Sequence, residues 1–236
     1  MQDHLTSYFW SGDTLRSRSV SDVVLSSVLD VPAPTARLTA DWKREISNLE
    51  LEPGDVEALS LPRARVRWPD YRHCVKAVSD WTCALGLPDV LAASSVALMA
   101  CRGAKYHHDG GQYGAAAFCN LFLSEDRGLD LHFPLTGHRI PLRRGVAVMF
   151  DTGQPHAVIQ RSSSSFDVAD FLTGQDCTQL FLTWELPIED ADVGRALGIA
   201  FDIQPCPLLP SNEEQVWRNG APAHVCPESG RWRRAD

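Results

Sequence analysis

A chain of 236 residues, 44% hydrophobic and 22% charged, has the composition of an ordinary globular protein long enough to bury a core. Its formal net charge of −8 argues against a general nucleic-acid or anionic-membrane surface, which needs a basic footprint. No apolar run approaches the roughly 18 residues of a transmembrane helix, and Met1-Gln2-Asp3-His4-Leu5 does not open a secretory signal, so a cytoplasmic location without membrane or nucleic-acid partners is expected.

In chain order, residues 1–93 read as a helical and irregular lead-in. Ser19 to Leu29 mixes β-branched residues with a possible helix start, and Val31-Pro32-Ala33-Pro34-Thr35 interrupts it. Asp41 to Leu51 reads as a short amphipathic helix that stops before Glu52-Pro53-Gly54. The clearest helix is 69–86. Pro69 suits a first turn, Val75, Val78, Trp81 and Leu85 recur at three- and four-residue steps, and Gly86 and Pro88 end it.

From residue 94 to 187 the texture changes to short β-rich runs separated by turn residues. These are 95–101, the segment Lys105-Tyr106-His107-His108-Asp109-Gly110-Gly111, then 115–123, 129–134, 139–142, 146–151, 156–161 and 177–185. About eight short strands after a helical lead-in predict a mainly β, α+β fold, a double-sheet jelly roll. The fifteen residues from Ser162 to Asp176 are long for a connection between strands and suit either a lid or a surface excursion. Residues 188–236 read as an irregular extension with one helix near 189–198, closed by the basic run Arg231-Trp232-Arg233-Arg234 as a solubilising tail. One domain is expected. Seven cysteines (74, 83, 101, 119, 177, 206 and 226), an odd number without a compact framework or a Cys-x-x-Cys pair, read as reduced thiols.

The chemistry concentrates in two places. His107 and Asp109 form a His-x-Asp pair, and strand alternation places Lys105, His107 and Asp109 on one face with Tyr106 and His108 on the other. One more histidine would complete a two-His-one-carboxylate facial triad, whose imidazole and carboxylate donors hold a ferrous ion and leave positions open. His132, His138 and His156 are the candidates. His156 is favoured because it begins a strand after a hairpin that returns the chain to the mouth of the sheet, whereas His138 follows a Thr-Gly turn and His132 sits mid-strand.

The stretch from Leu98 to Glu185 resembles the double-stranded β-helix core of Fe(II)/2-oxoglutarate-dependent dioxygenases, particularly the prolyl-hydroxylase-like branch. The resemblance runs through Met99-Ala100-Cys101 before the His-x-Asp segment, Leu121-Phe122-Leu123-Ser124, Gly128-Leu129-Asp130-Leu131-His132-Phe133-Pro134, and the hairpin from Ile140 and Pro141 through Gly145 to Asp151. It implies that His107, Asp109 and His156 bind Fe(II), that 2-oxoglutarate chelates the ion and that O2 takes the last position. It implies in turn a hydroxylase acting on an unactivated C–H bond of a small molecule or amino-acid residue.

One departure stands out. The branch usually carries a basic residue about nine to eleven residues beyond the distal histidine, to pair with the far carboxylate of 2-oxoglutarate. Here that window reads Ser165-Phe166-Asp167, and a common tyrosine of the third strand is replaced by Phe122. Arg161 with Asn120 is the substitute read from the sequence; Lys105, Arg143 and Arg144 are the other basic candidates. Two rivals follow: a cupin-like iron oxygenase that uses no keto acid, and a jelly-roll binding module whose histidines are structural.

Overall fold

The computed structural model describes residues 4–172, 174–204 and 215–234. The chain opens with the hairpin β1 (Leu5–Ser11) and β2 (Thr14–Ser19), then β3 (Val24–Val28), helix α1 (Ala36–Leu49), β4 (Val56–Leu59) and helices α2 (Leu61–Val66) and α3 (Tyr71–Ala84). Eight strands follow: β5 (Ser95–Cys101), β6 (Ala104–His107), β7 (Ala116–Phe122), β8 (Leu129–Phe133), β9 (His138–Pro141), β10 (Val146–Asp151), β11 (His156–Gln160) and β12 (Gln179–Pro187). Helix α4 (Ala191–Ala196) and strands β13 (Gln215–Arg218), β14 (Ala221–Val225) and β15 (Trp232–Arg234) complete the described chain.

Strands β5 to β12 divide between two antiparallel sheets. The larger runs β3-β10-β7-β12-β5-β4 and the smaller β6-β11-β8-β9. The inner four strands of the larger sheet and the smaller sheet make the eight-stranded jelly roll expected from the sequence, a double-stranded β-helix, with β3 and β4 added at the edges of the larger sheet. The hydrophobic effect assigns the faces. Along β7 and β12, Ala117, Cys119, Leu121, Leu182, Trp184 and Leu186 point outward, into a core shared with Leu38 and Trp42 of α1 and Cys74 and Val78 of α3. The alternate residues face the smaller sheet, where Phe122, Phe150, Leu131, Phe133 and Val158 form the inner core.

Helix α1 begins at Ala36, five residues before the expected start, because Thr35 caps it by accepting the amide of Leu38 at 3.3 Å. Helix α3 falls inside the expected 69–86. The flanks differ more. The lead-in holds strands β1 to β4 as well as helices, and the extension is not irregular where it is described: β13 pairs with β1, and β14 and β15 follow it in one sheet of order β15-β14-β13-β1-β2. This sheet covers the outer face of the smaller one, with Val216, Val225 and Trp232 against Tyr106, Ala157 and Ile159. The basic run is therefore a strand anchored by the buried Trp232, not a free tail. The six described cysteines are free thiols; Cys206 lies outside the described residues. No helix among the described residues is long and apolar enough to cross a membrane.

Candidate metal centre

His107, Asp109 and His156 meet at one end of the cavity between the two sheets. One ligand-capable atom from each lies within 4.8 Å of the others, the sole such cluster of metal-binding side chains among the described residues. His107 ends β6, His156 begins β11, and the two are direct cross-strand partners with ring centroids 4.4 Å apart. Asp109 follows β6 in a tight turn whose carbonyl accepts the amides of Gln112 and Tyr113. Its carboxylate lies 3.7 Å from His107 Nε2 and 3.4 Å from His156 Nε2.

The backbone fixes both imidazoles in the same tautomer. His107 Nδ1 donates to the carbonyl of Lys105 at 2.7 Å, and His156 Nδ1 donates to that of Gln154 at 2.9 Å. A carbonyl can only accept, so Nδ1 carries the proton and the Nε2 lone pairs point toward Asp109. This is the outer bonding that orients metal-ligating histidines. Burial, then the neighbouring His107, pushes the pKa of His156 down to about 4, so its ring is a neutral donor at physiological pH.

The loop carrying His156 is held from beneath by an ion pair invisible in the sequence. Arg18 of β2 and Asp151 at the end of β10 meet at 2.8 Å with both side chains fully buried. Arg18 also donates to the carbonyl of Gly114. Asp151 accepts the amides of Ser21 and Gly153 at 2.8 Å each. The hydroxyl of Thr152 lies 2.7 and 2.8 Å from the carbonyls of Tyr113 and Ala116, and the amide of Asp109 donates to the carbonyl of Thr152. The loops carrying Asp109 and His156 are thereby fastened to each other.

The other histidine candidates sit elsewhere. His132 faces outward and bonds Tyr106 at 2.6 Å, while His138 is exposed. Lys105 does not share the face of His107. A bulge sets Ala104 opposite Val158 and His107 opposite His156, so Lys105 turns out to solvent. Arg161 is likewise placed outside: it forms ion pairs with Asp126 at 2.9 Å and Asp130 at 2.8 Å and does not line the cavity, as alternation from His156 requires. Asn120, its expected companion, does line it. The loop from Ser162 packs back on the fold through stacked Phe166 and Phe171, and none of its described residues lines the cavity.

The cavity measures about 250 Å³. Cross-strand register arranges its wall in rows running from the mouth inward. Phe118 and Glu185 form the first, Asn120, Thr183 and Ala97 the second, and Phe122, Phe181 and Met99 the third. Tyr113 and Gln112 stand beside the first row. Thr183 and Glu185 escaped the sequence reading, although strict alternation along 177–185 puts both on the face of Phe181.

No family model matches the sequence, and no curated protein matches it. Among solved structures, the chain is similar to a viral collagen prolyl hydroxylase of Paramecium bursaria Chlorella virus-1 in complex with 2OG (8% identity, 70% of this chain and 94% of that one, TM-score 0.41). It is similar to a Pseudomonas putida prolyl-4-hydroxylase (17%, 70% and 92%, TM-score 0.40) and to the non-heme alpha ketoglutarate dependent epimerase SnoN from nogalamycin biosynthesis (14%, 70% and 78%, TM-score 0.37). These likenesses are loose, and the fold and site described above rest on this chain's own strand order and side chains.

Proposed function

We propose that this protein is a non-haem Fe(II)-dependent oxygenase, assisted by a 2-oxo acid, that hydroxylates a C–H bond of a small molecule or amino-acid residue. The observation that carries the reading is the convergence of two tautomer-fixed Nε2 atoms and one carboxylate at the end of a jelly-roll cavity. Two borderline nitrogen donors and one hard oxygen donor would suit Fe(II), and three protein donors would leave coordination positions open. When bound, the ion supplies the one-electron and oxygen chemistry that no side chain can perform.

The chain's own residues do the rest. His107, Asp109 and His156 present three donors on one side. Phe118 and Phe150, the latter with its ring 4.8 Å from that of His156, wall the centre with hydrocarbon and exclude water from it. Glu185, Gln112 and Tyr113 at the mouth offer polar contacts that orient an entering substrate. A volume of about 250 Å³ suits a small molecule or one side chain better than a bulky ligand.

The 2-oxoglutarate expected from the family resemblance fits at one end only. Its keto-acid end needs the free positions of the metal, but its far carboxylate meets no lysine or arginine among the described cavity-lining residues. No step is therefore assigned to that carboxylate.

The test is anaerobic titration of Fe(II) into metal-free protein. One equivalent should bind to the wild type, with affinity reduced at least 100-fold in His107→Ala and His156→Ala. Absence of stoichiometric binding by the wild type would leave a binding module with structural histidines.

A further inference from the structure

We infer that the 2-oxo acid used by this centre is a monocarboxylate with an uncharged, apolar tail rather than the dicarboxylate 2-oxoglutarate. The inference rests on the metal-centre reading above and concerns what lies deeper in the same cavity.

Two observations carry it. The first is the floor. Beyond the second row the wall consists of Phe122 and Phe181, their rings 5.2 Å apart, with Met99, Cys101, Ala104, Leu131 and Val158 around them and the exposed Val56 at the edge. A tail entering from the metal ends among these groups. A carboxylate there would give up part of its hydration to hydrocarbon, with no lysine or arginine in the described lining to replace it. Arg139 and Arg161 are paired with Asp130 and Arg127 with Asp176, while Arg102 donates to the carbonyls of Leu51 and Phe171 and does not line the cavity.

The second observation is the row between metal and floor. Asn120 and Thr183 are direct cross-strand partners, each more than nine-tenths buried. Neither Asn120 Oδ1 nor Thr183 Oγ1 finds a hydrogen-bond partner among the described residues. Buried polar atoms in native proteins are nearly always satisfied, so such a pair facing a cavity marks a place where a ligand's polar group belongs. An amide and a hydroxyl suit the oxo-acid end of a ligand that is anchored at the metal. The polar wall then stops, and only hydrocarbon and sulfur lie beyond. The order of charge, polar belt and apolar floor matches a ligand that is polar at one end alone.

The experiment compares 2-oxoglutarate with 4-methyl-2-oxopentanoate on the Fe(II)-loaded wild type without oxygen. Binding is read from the visible charge-transfer band of the Fe(II)–2-oxo acid chelate and, independently, from the thermal shift. We expect 4-methyl-2-oxopentanoate to bind at least tenfold more tightly. Phe181→Arg, which places a guanidinium on the floor at a half-buried position, should reverse the order. Tighter binding of 2-oxoglutarate to the wild type overturns the inference, as does binding of neither acid to a protein that holds its iron. Failure to hold iron overturns the metal-centre reading itself, so the two failures are distinguishable.

Discussion

At the scale of single residues, the centre depends as much on groups that never touch a ligand as on the three that would. Arg18 and Asp151 are fully buried and hold the turn leading to His156. Substituting Arg18→Met strands a carboxylate in the interior, which typically costs about 3–5 kcal/mol. Urea denaturation of the metal-free variant should show a loss of that order, and a change below about 1 kcal/mol would mean that Asp151 is satisfied without its partner. The sequence brought out His107, Asp109 and His156, which the fold gathers into one cluster, and hid the support of that cluster for a physical reason. A His-x-Asp pair is common by chance, but its place between two β runs makes His107 and Asp109 visible locally. An arginine in Thr-Leu-Arg-Ser-Arg-Ser, by contrast, looks like any solvated side chain until a carboxylate 133 positions away turns up beside it. Thr183 was hidden in the same way, because what singles it out is the empty hydrogen-bonding capacity of its neighbour across the strand.

Among elements, those with a strong local period were legible and those that exist only through distant partners were not. Strands β10 and β11 and helix α3 carry their own hydrophobic pattern, and each lies within the expected span. Strands β1 and β2 do not; their sheet is completed by β13, about two hundred residues later. The bulge in β6 escaped for a related reason, since an extra residue in a strand leaves no mark in the sequence and reverses the facing of Lys105. Just before β6, Gly103 has φ of +76° and sits under the ring of Phe171. A methyl group there meets both a disfavoured backbone conformation and that ring. Gly103→Ala should therefore release the loop from Ser162 to Asp176 from the fold. Limited proteolysis should show faster cleavage within this loop while the rest of the chain stays protected. An unchanged cleavage pattern would place the loop's anchorage elsewhere, for instance on Arg139, which donates to the carbonyls of Gln160, Arg161 and Ser163.

Over the whole molecule, layering sets the response to acid. Helices, larger sheet, smaller sheet and terminal sheet are stacked so that His108 and His156 lie between packed layers, and burial pushes both pKa values down to about 4. In the unfolded chain an imidazole takes up its proton near pH 6.5. Between about 6.5 and 4 the unfolded state therefore binds more protons than the folded one, and stability must fall as pH falls through that window. The denaturation midpoint of the metal-free protein should be flat above neutrality and drop steadily below pH 6.5. A midpoint constant down to about pH 4.5 would show that these rings are protonated in the native state.

The pairing of β1 with β13 has a further consequence, in time. During synthesis the first hairpin emerges long before the strand that completes its sheet, and Arg18 emerges long before Asp151. The early hairpin must wait with its edge exposed, since non-local pairing pays loop-closure entropy before any contact rewards it. The eight-stranded roll can assemble first, and the terminal sheet closes last. Maturation of the centre is then tied to the pairing of β1 with β13, because the support of the His156 turn reaches it from the hairpin that waits.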